Sequence, residues 1–145
     1  MLTVETRLAM SKIHGLGLLA TQPIKKGVIV SYFGLDFDRL SSCNADLPKI
    51  TQEFLEKYAF NTTDGVWLFN DNARFINHAK NANLAYSFHL NVGFSAFHCF
   101  VALNDIPSGA ELTIDYETFD KEHYKRICDF EELHDARSWP PKVPI

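Results

Sequence analysis

The apolar residues of this chain fall into short, strand-length runs punctuated by glycine and proline turns, with no alternation of strands and long helices. Leu18-Leu19-Ala20 is followed by the turn Pro23-Ile24-Lys25-Lys26-Gly27, then by Val28-Ile29-Val30-Ser31-Tyr32, whose β-branched residues suit a pleated backbone. Further on, Tyr86, Phe88 and Leu90 alternate with Ser87 and His89, and Phe97 to Leu103 is a nearly continuous apolar run, so both predict strands. The turn Ile106-Pro107-Ser108-Gly109 repeats the spacing of Ile24 to Gly27, and each copy leads into a β segment that ends in a tyrosine, Tyr32 or Tyr116. Helices are predicted in two places only. One follows Thr51, with Glu53 in its first turn and apolar positions at Phe54, Leu55 and Tyr58; the other runs from a Thr118 cap to about Phe130. Ser138-Trp139-Pro140-Pro141 predicts an extended tail. A mainly β fold is expected, and the missing βαβ alternation disfavours a doubly wound nucleotide fold.

At 145 residues, with 46% apolar and 22% charged, the chain suits a single globular domain. Twelve Phe and five Tyr exceed what a minimal core needs, which predicts rings lining a cleft. No stretch approaches the ~20 apolar residues that span a bilayer, and Met1-Leu2-Thr3-Val4-Glu5 carries no leader, so a soluble intracellular protein is expected. Fourteen Lys and Arg against eighteen Asp and Glu leave a net charge of −4, which argues against a phosphate-backbone partner and suits a basic peptide. Cys43, Cys99 and Cys128 are too few and too scattered for a disulfide framework or a CxxC zinc pair, so a reducing compartment fits best.

His14-Gly15-Leu16-Gly17 contains a GxG, but a strand pattern follows it instead of the helix a dinucleotide fingerprint requires. It stands in a series: the Ile24-x-x-Gly27 turn, Tyr32-Phe33-Gly34, Tyr58-Ala59-Phe60, Arg74-Phe75-Ile76-Asn77-His78, Asn81-Ala82-Asn83, and Glu111-Leu112-Thr113-Ile114-Asp115-Tyr116. In this order the segments resemble the SET-domain protein lysine methyltransferases, from about Lys12 to Phe119. The resemblance implies small curved sheets, short helices and a C-terminal pseudoknot, with a SET domain over residues 1–119. Residues 120–145 would form an acidic, aromatic helix and tail that completes the substrate channel.

Carried over residue by residue, the resemblance implies S-adenosylmethionine against Gly15, Leu16 and Gly17, with Tyr58, Asn77 and His78 completing the pocket. Glycine backbone permits a close approach by the ligand, and the Asn77 amide offers both donor and acceptor groups. Tyr116 would be catalytic, and Tyr32, Ile114 and Phe119 would line the lysine channel. No metal is expected: Lys80 stands where many members have a zinc-binding cysteine, and Cys128 alone follows Tyr116. The implied activity is methyl transfer to a lysine amine on a basic protein, a histone tail favoured, which would place the protein in the nucleus or on chromatin. No direct nucleic-acid or membrane contact is expected, and homodimer formation is left open. Ala79, Lys80 and Ile114 depart from the family pattern and support a second reading, a SET-like module that binds a peptide without catalysis.

Overall fold

The computed structural model describes residues 1–33, 39–40, 48–62, 65–89 and 97–120. They form three small sheets and one α-helix. Strands β1 (Thr6–Met10) and β2 (Leu16–Ala20) make an antiparallel hairpin, with Thr6 opposite Ala20 and Met10 opposite Leu16. The largest sheet takes in β3 (Ile29–Phe33); β4 (Arg39–Leu40) belongs to a separate three-stranded sheet. Helix α1 (Lys49–Tyr58) leads into β5 (Phe60–Thr62) and β6 (Gly65–Trp67), which pair with each other beside β4. Strands β7 (Asn77–His78), β8 (Leu84–His89), β9 (Phe97–Ala102) and β10 (Thr113–Ile114) complete the large sheet, in the order β3-β9-β8-β10-β7.

That order contains the feature on which the site depends. β7 and β8 are consecutive in the chain, yet β10 lies between them, parallel to both, with Thr113 opposite Asn77 and Ile114 opposite His78 and Leu84. The C-terminal motif is thereby threaded between the two arms of the Asn77 segment. Asn83 fastens it: its amide nitrogen donates to the Glu111 carbonyl at 2.8 Å, and its amide oxygen accepts from Thr113 N–H at 2.9 Å.

The two Ile-x-x-Gly turns pair with each other. Ile24 and Ile106 exchange both backbone hydrogen bonds at 2.8 Å, and the glycines that close the turns, Gly27 and Gly109, share a φ of +85°, a conformation only glycine adopts without strain. Beneath them lies a continuous core in which Leu18, Val30, Trp67, Leu84, Phe100, Ile106, Leu112 and Ile114 are fully buried. β2 and β9 are buried along most of their length, with Gly17, Leu18 and Ala20 in one and His98, Cys99, Phe100 and Ala102 in the other.

Several local expectations are corrected. α1 begins at Lys49, two residues ahead of Thr51, and Pro48 precedes it without a side-chain cap, since its fixed φ already favours entry into a helix. β8 starts at Leu84 instead of Tyr86, because β10 offers Leu84 a partner that no local pattern announces. At the C-terminal motif a 3-10 turn spans Tyr116–Thr118, and Asp115 caps it by accepting from Glu117 N–H at 3.1 Å. The expected helix to Phe130, the tail at Ser138–Pro141, Cys43 and Cys128 lie outside the described residues. Among the described residues, no helix is long and apolar enough to cross a membrane.

Candidate active site

The turn between β1 and β2 is organised by one hydroxyl. Ser11 Oγ accepts from Ile13 N–H at 2.8 Å and His14 N–H at 3.1 Å, and donates to the Glu111 carboxylate at 2.7 Å. Gly15 takes a φ of +48° at the tip, the left-handed conformation a glycine permits. The Asn77 amide nitrogen then ties the turn to the knot, donating to the carbonyls of His14 and Leu16 at 3.0 Å each and to Glu111 Oε1 at 2.8 Å. These partners use the donor capacity that the sequence reading assigned to a ligand, so Asn77 fixes the loop through its amide nitrogen.

Two cavities open on either side of Tyr116. The first, about 60 Å³, is lined by His14, Gly15, Leu16, Asn77, Tyr58 and Phe75, with the cations of Lys57 and Arg74. The second, about 50 Å³, is a ring-lined hollow formed by Phe60, Phe69, Phe100 and Phe119 together with Ile76, Ile114 and Asp120. Lys57, Tyr58, Arg74 and Tyr116 line both. Phe119 anchors the second hollow, its ring centroid 5.6 Å from Phe60, 5.4 Å from Phe100 and 6.0 Å from Tyr116.

Tyr116 is held at its ring and at its backbone. Its hydroxyl donates to the Ile76 carbonyl at 2.7 Å, and its N–H donates to His78 Nδ1 at 3.1 Å. Burial, followed by the nearby Asp120 carboxylate, raises the phenol well above the ordinary tyrosine pKa, so the hydroxyl keeps its proton. His78 titrates below its usual value, chiefly because burial disfavours the charged ring, with Lys80 adding to the effect against an opposing pull from Asp115. The neutral ring is the form that can accept from Tyr116 N–H. Its 3.7 Å approach to Asp115 is therefore a contact of a neutral imidazole at neutral pH. Lys80 bonds the Glu117 carboxylate and lies 3.7 Å from Asp115, so it bridges across the knot.

Of the residues predicted from sequence, Gly15, Leu16, Tyr58 and Asn77 gather in the first cavity, Ile114 and Phe119 in the second, and Tyr116 between them. Gly17 and His78 line neither cavity. Gly17 makes room for Glu111, and His78 supports Tyr116. Tyr32 lines neither cavity; it sits on β3 opposite Cys99, 37% exposed. Cys99 is buried, which pushes its thiol pKa up and makes it a core residue. Sequence reasoning did not assign His14, Lys57, Arg74, Phe75, Glu111 or Asp120 to the site. His14 and Lys57 adjoin residues that it did assign, Arg74 and Phe75 belong to the RFINH segment, and Glu111 opens the last motif; Asp120 follows the assigned Phe119, but nothing local marks it as buried.

The SET domain family model matches residues 15–117. No curated protein is similar in sequence. Among solved structures, a Plasmodium falciparum protein provisionally described as a histone methyltransferase is 22% identical with a TM-score of 0.56, over 79% of this chain and 94% of that one. A humanized mutant of the Chaetomium thermophilum Polycomb Repressive Complex 2, bound to an inhibitor, is 23% identical with a TM-score of 0.55, over 80% of this chain and 15% of that one. The same complex in an autoinhibited conformation bound to S-adenosylmethionine is 21% identical with a TM-score of 0.56, and the match covers 89% of this chain and 17% of that one. This chain thus spans a small part of the Polycomb chains, and at these identities the likeness bears on the fold.

Proposed function

The chain belongs to the SET-domain family, and from that premise we propose that it is a protein-lysine N-methyltransferase that takes its methyl group from S-adenosylmethionine. The observation that carries this reading is the meeting of a cavity at the glycine turn and a ring-lined cavity at Lys57, Tyr58, Arg74 and Tyr116. The first suits the cofactor: Lys57 and Arg74 complement a carboxylate, Tyr58 and Phe75 offer ring faces, and the Gly15 backbone leaves room for close approach. When bound, S-adenosylmethionine supplies an electrophilic methyl group on a positive sulfur. The chain's residues do the rest by position. The ring-lined walls of the second cavity suit a slender aliphatic chain, and entry there strips water from an amine whose free pKa is ~10.4, which disfavours its charged form. Tyr116 keeps its proton on the Ile76 side, so its oxygen presents lone pairs toward an incoming N–H and aligns the amine.

A net charge of −4 favours a basic protein as substrate, a histone tail first among them, with action in the nucleus. The test is incubation with labelled S-adenosylmethionine and a panel of histones and other basic proteins, followed by mass spectrometry of the labelled residue. Lysine methylation is expected. A protein that binds the cofactor and modifies nothing in a broad panel would favour the peptide-binding module instead.

A further inference from the structure

Lys80 departs from the family pattern and lines neither cavity, yet its ammonium reaches both residues that flank Tyr116 in the chain. It bonds the Glu117 carboxylate and lies 3.7 Å from Asp115 Oδ2. Asp115 turns its other oxygen, Oδ1, toward His78 Nδ1 at 3.7 Å, and that same nitrogen accepts from Tyr116 N–H at 3.1 Å. Ion pairs made by so exposed a lysine add little to stability, but they also act on the neighbouring imidazole. From the threaded segment, Asp115, Glu117, the Ile114 backbone and the Tyr116 phenol face His78; from its own segment, Lys80 does. Burial favours the neutral ring, the two carboxylates pull it toward the imidazolium, and Lys80 opposes them. Once protonated, Nδ1 carries a hydrogen of its own and has no lone pair for Tyr116 N–H.

We propose that Lys80 is a positioning residue for Tyr116: by engaging Asp115 and Glu117 it keeps His78 Nδ1 open to the Tyr116 N–H, and so fixes the backbone from which the phenol projects. Lys80 touches neither cavity and acts through its neighbours. Its effect on turnover rests on the methyltransferase reading; its effect on His78 and the Tyr116 amide does not.

The test is an NMR pH titration of the full chain, which needs no substrate. In Lys80→Met the His78 ring is expected to titrate at higher pH than in the parent, with the Tyr116 amide resonance shifting at the same midpoint. Lys80→Arg should restore the parent curve, and Asp115→Asn should move the midpoint the other way. On a methylated protein substrate, turnover by Lys80→Met relative to the parent should fall several-fold as pH drops from about 8 to about 6, at unchanged KM. A lysine that merely braced the knot would lower turnover by the same factor at every pH. An unmoved His78 midpoint in Lys80→Met overturns the proposal, as does a Tyr116 amide that ignores that midpoint, or a turnover ratio constant with pH. A parent whose His78 titrates above ~6.5 overturns it whether or not the variants fold. The expected titrations in a chain that methylates nothing overturn the methyltransferase reading and leave the positioning of Tyr116 standing.

Discussion

Gly17 and Glu111 lie so close that a Cβ on Gly17 would stand 2.3 Å from Glu111 Oε1 and 2.7 Å from its carboxyl carbon. The carboxylate cannot swing aside without releasing Ser11 and Asn77, which together hold the turn at Gly15. Gly17→Ala is therefore expected to cost roughly 1.5–3 kcal/mol in charged hydrogen bonds. Isothermal calorimetry should show S-adenosylmethionine affinity falling about tenfold or more.

Asn77→Ala removes the donor shared by His14, Leu16 and Glu111. Leaving such partly buried acceptors unpaired costs roughly 1–3 kcal/mol. Cofactor affinity should drop about tenfold to a hundredfold by calorimetry. Parent-like binding by this variant would detach the cofactor from the β1–β2 turn.

Tyr116→Phe keeps the ring contacts with His78 and Phe119 and loses one hydrogen bond, to Ile76. Stability should change by only about 0.5–1.5 kcal/mol. Turnover should fall far further than that, with cofactor affinity nearly unchanged. A thermal melt run beside a methylation assay separates the two effects; losses in step would make Tyr116 a structural residue.

His78 supplies a pH dependence with a definite sign. Its pKa is lowered in the folded state, so its contribution to stability is fully present above the unfolded value of ~6.5 and is lost as pH falls through the folded value. The melting temperature should hold from pH 8 to about 6.5 and decline on further acidification, as the ring ceases to accept from Tyr116 N–H. His78→Gln, which keeps an acceptor that does not titrate, should flatten that decline.

Among the described residues no group of three or more His, Cys, Asp and Glu could hold a metal ion. EDTA is expected to leave melting temperature and methylation unchanged. Loss of either, with recovery on added zinc, would contradict this.

Much of the candidate site was legible because its residues occupy recognisable motifs: Gly15 and Leu16 in the GxG turn, Asn77 in the RFINH segment, Tyr116 at the end of ELTIDY. What the motifs do not carry is direction. Whether Asn77 points its amide nitrogen at a ligand or at His14 and Leu16 depends on where β10 places Glu111, a contact between residues 34 apart in the chain. Two-residue strands such as β7 and β10 have no period to detect, and they exist only because each completes the other. Asp120 looked like one more acid in a charged tail; the rings of Phe60, Phe100 and Phe119 that enclose its cavity are far apart in sequence.

The insertion of β10 between β7 and β8 also sets an order of events during synthesis. Strands β3, β8 and β9 can emerge from the ribosome and pair before the Thr113–Ile114 segment exists, whereas β7 waits for β10. A nascent chain that stops short of Glu111 has the glycine turn and most of its rings, yet lacks the segment that brings Glu111 to Asn77 and Tyr116 to His78. Because these pairings close long loops, their formation is slow relative to local structure. Assembly of the candidate site and completion of the fold are therefore a single late step.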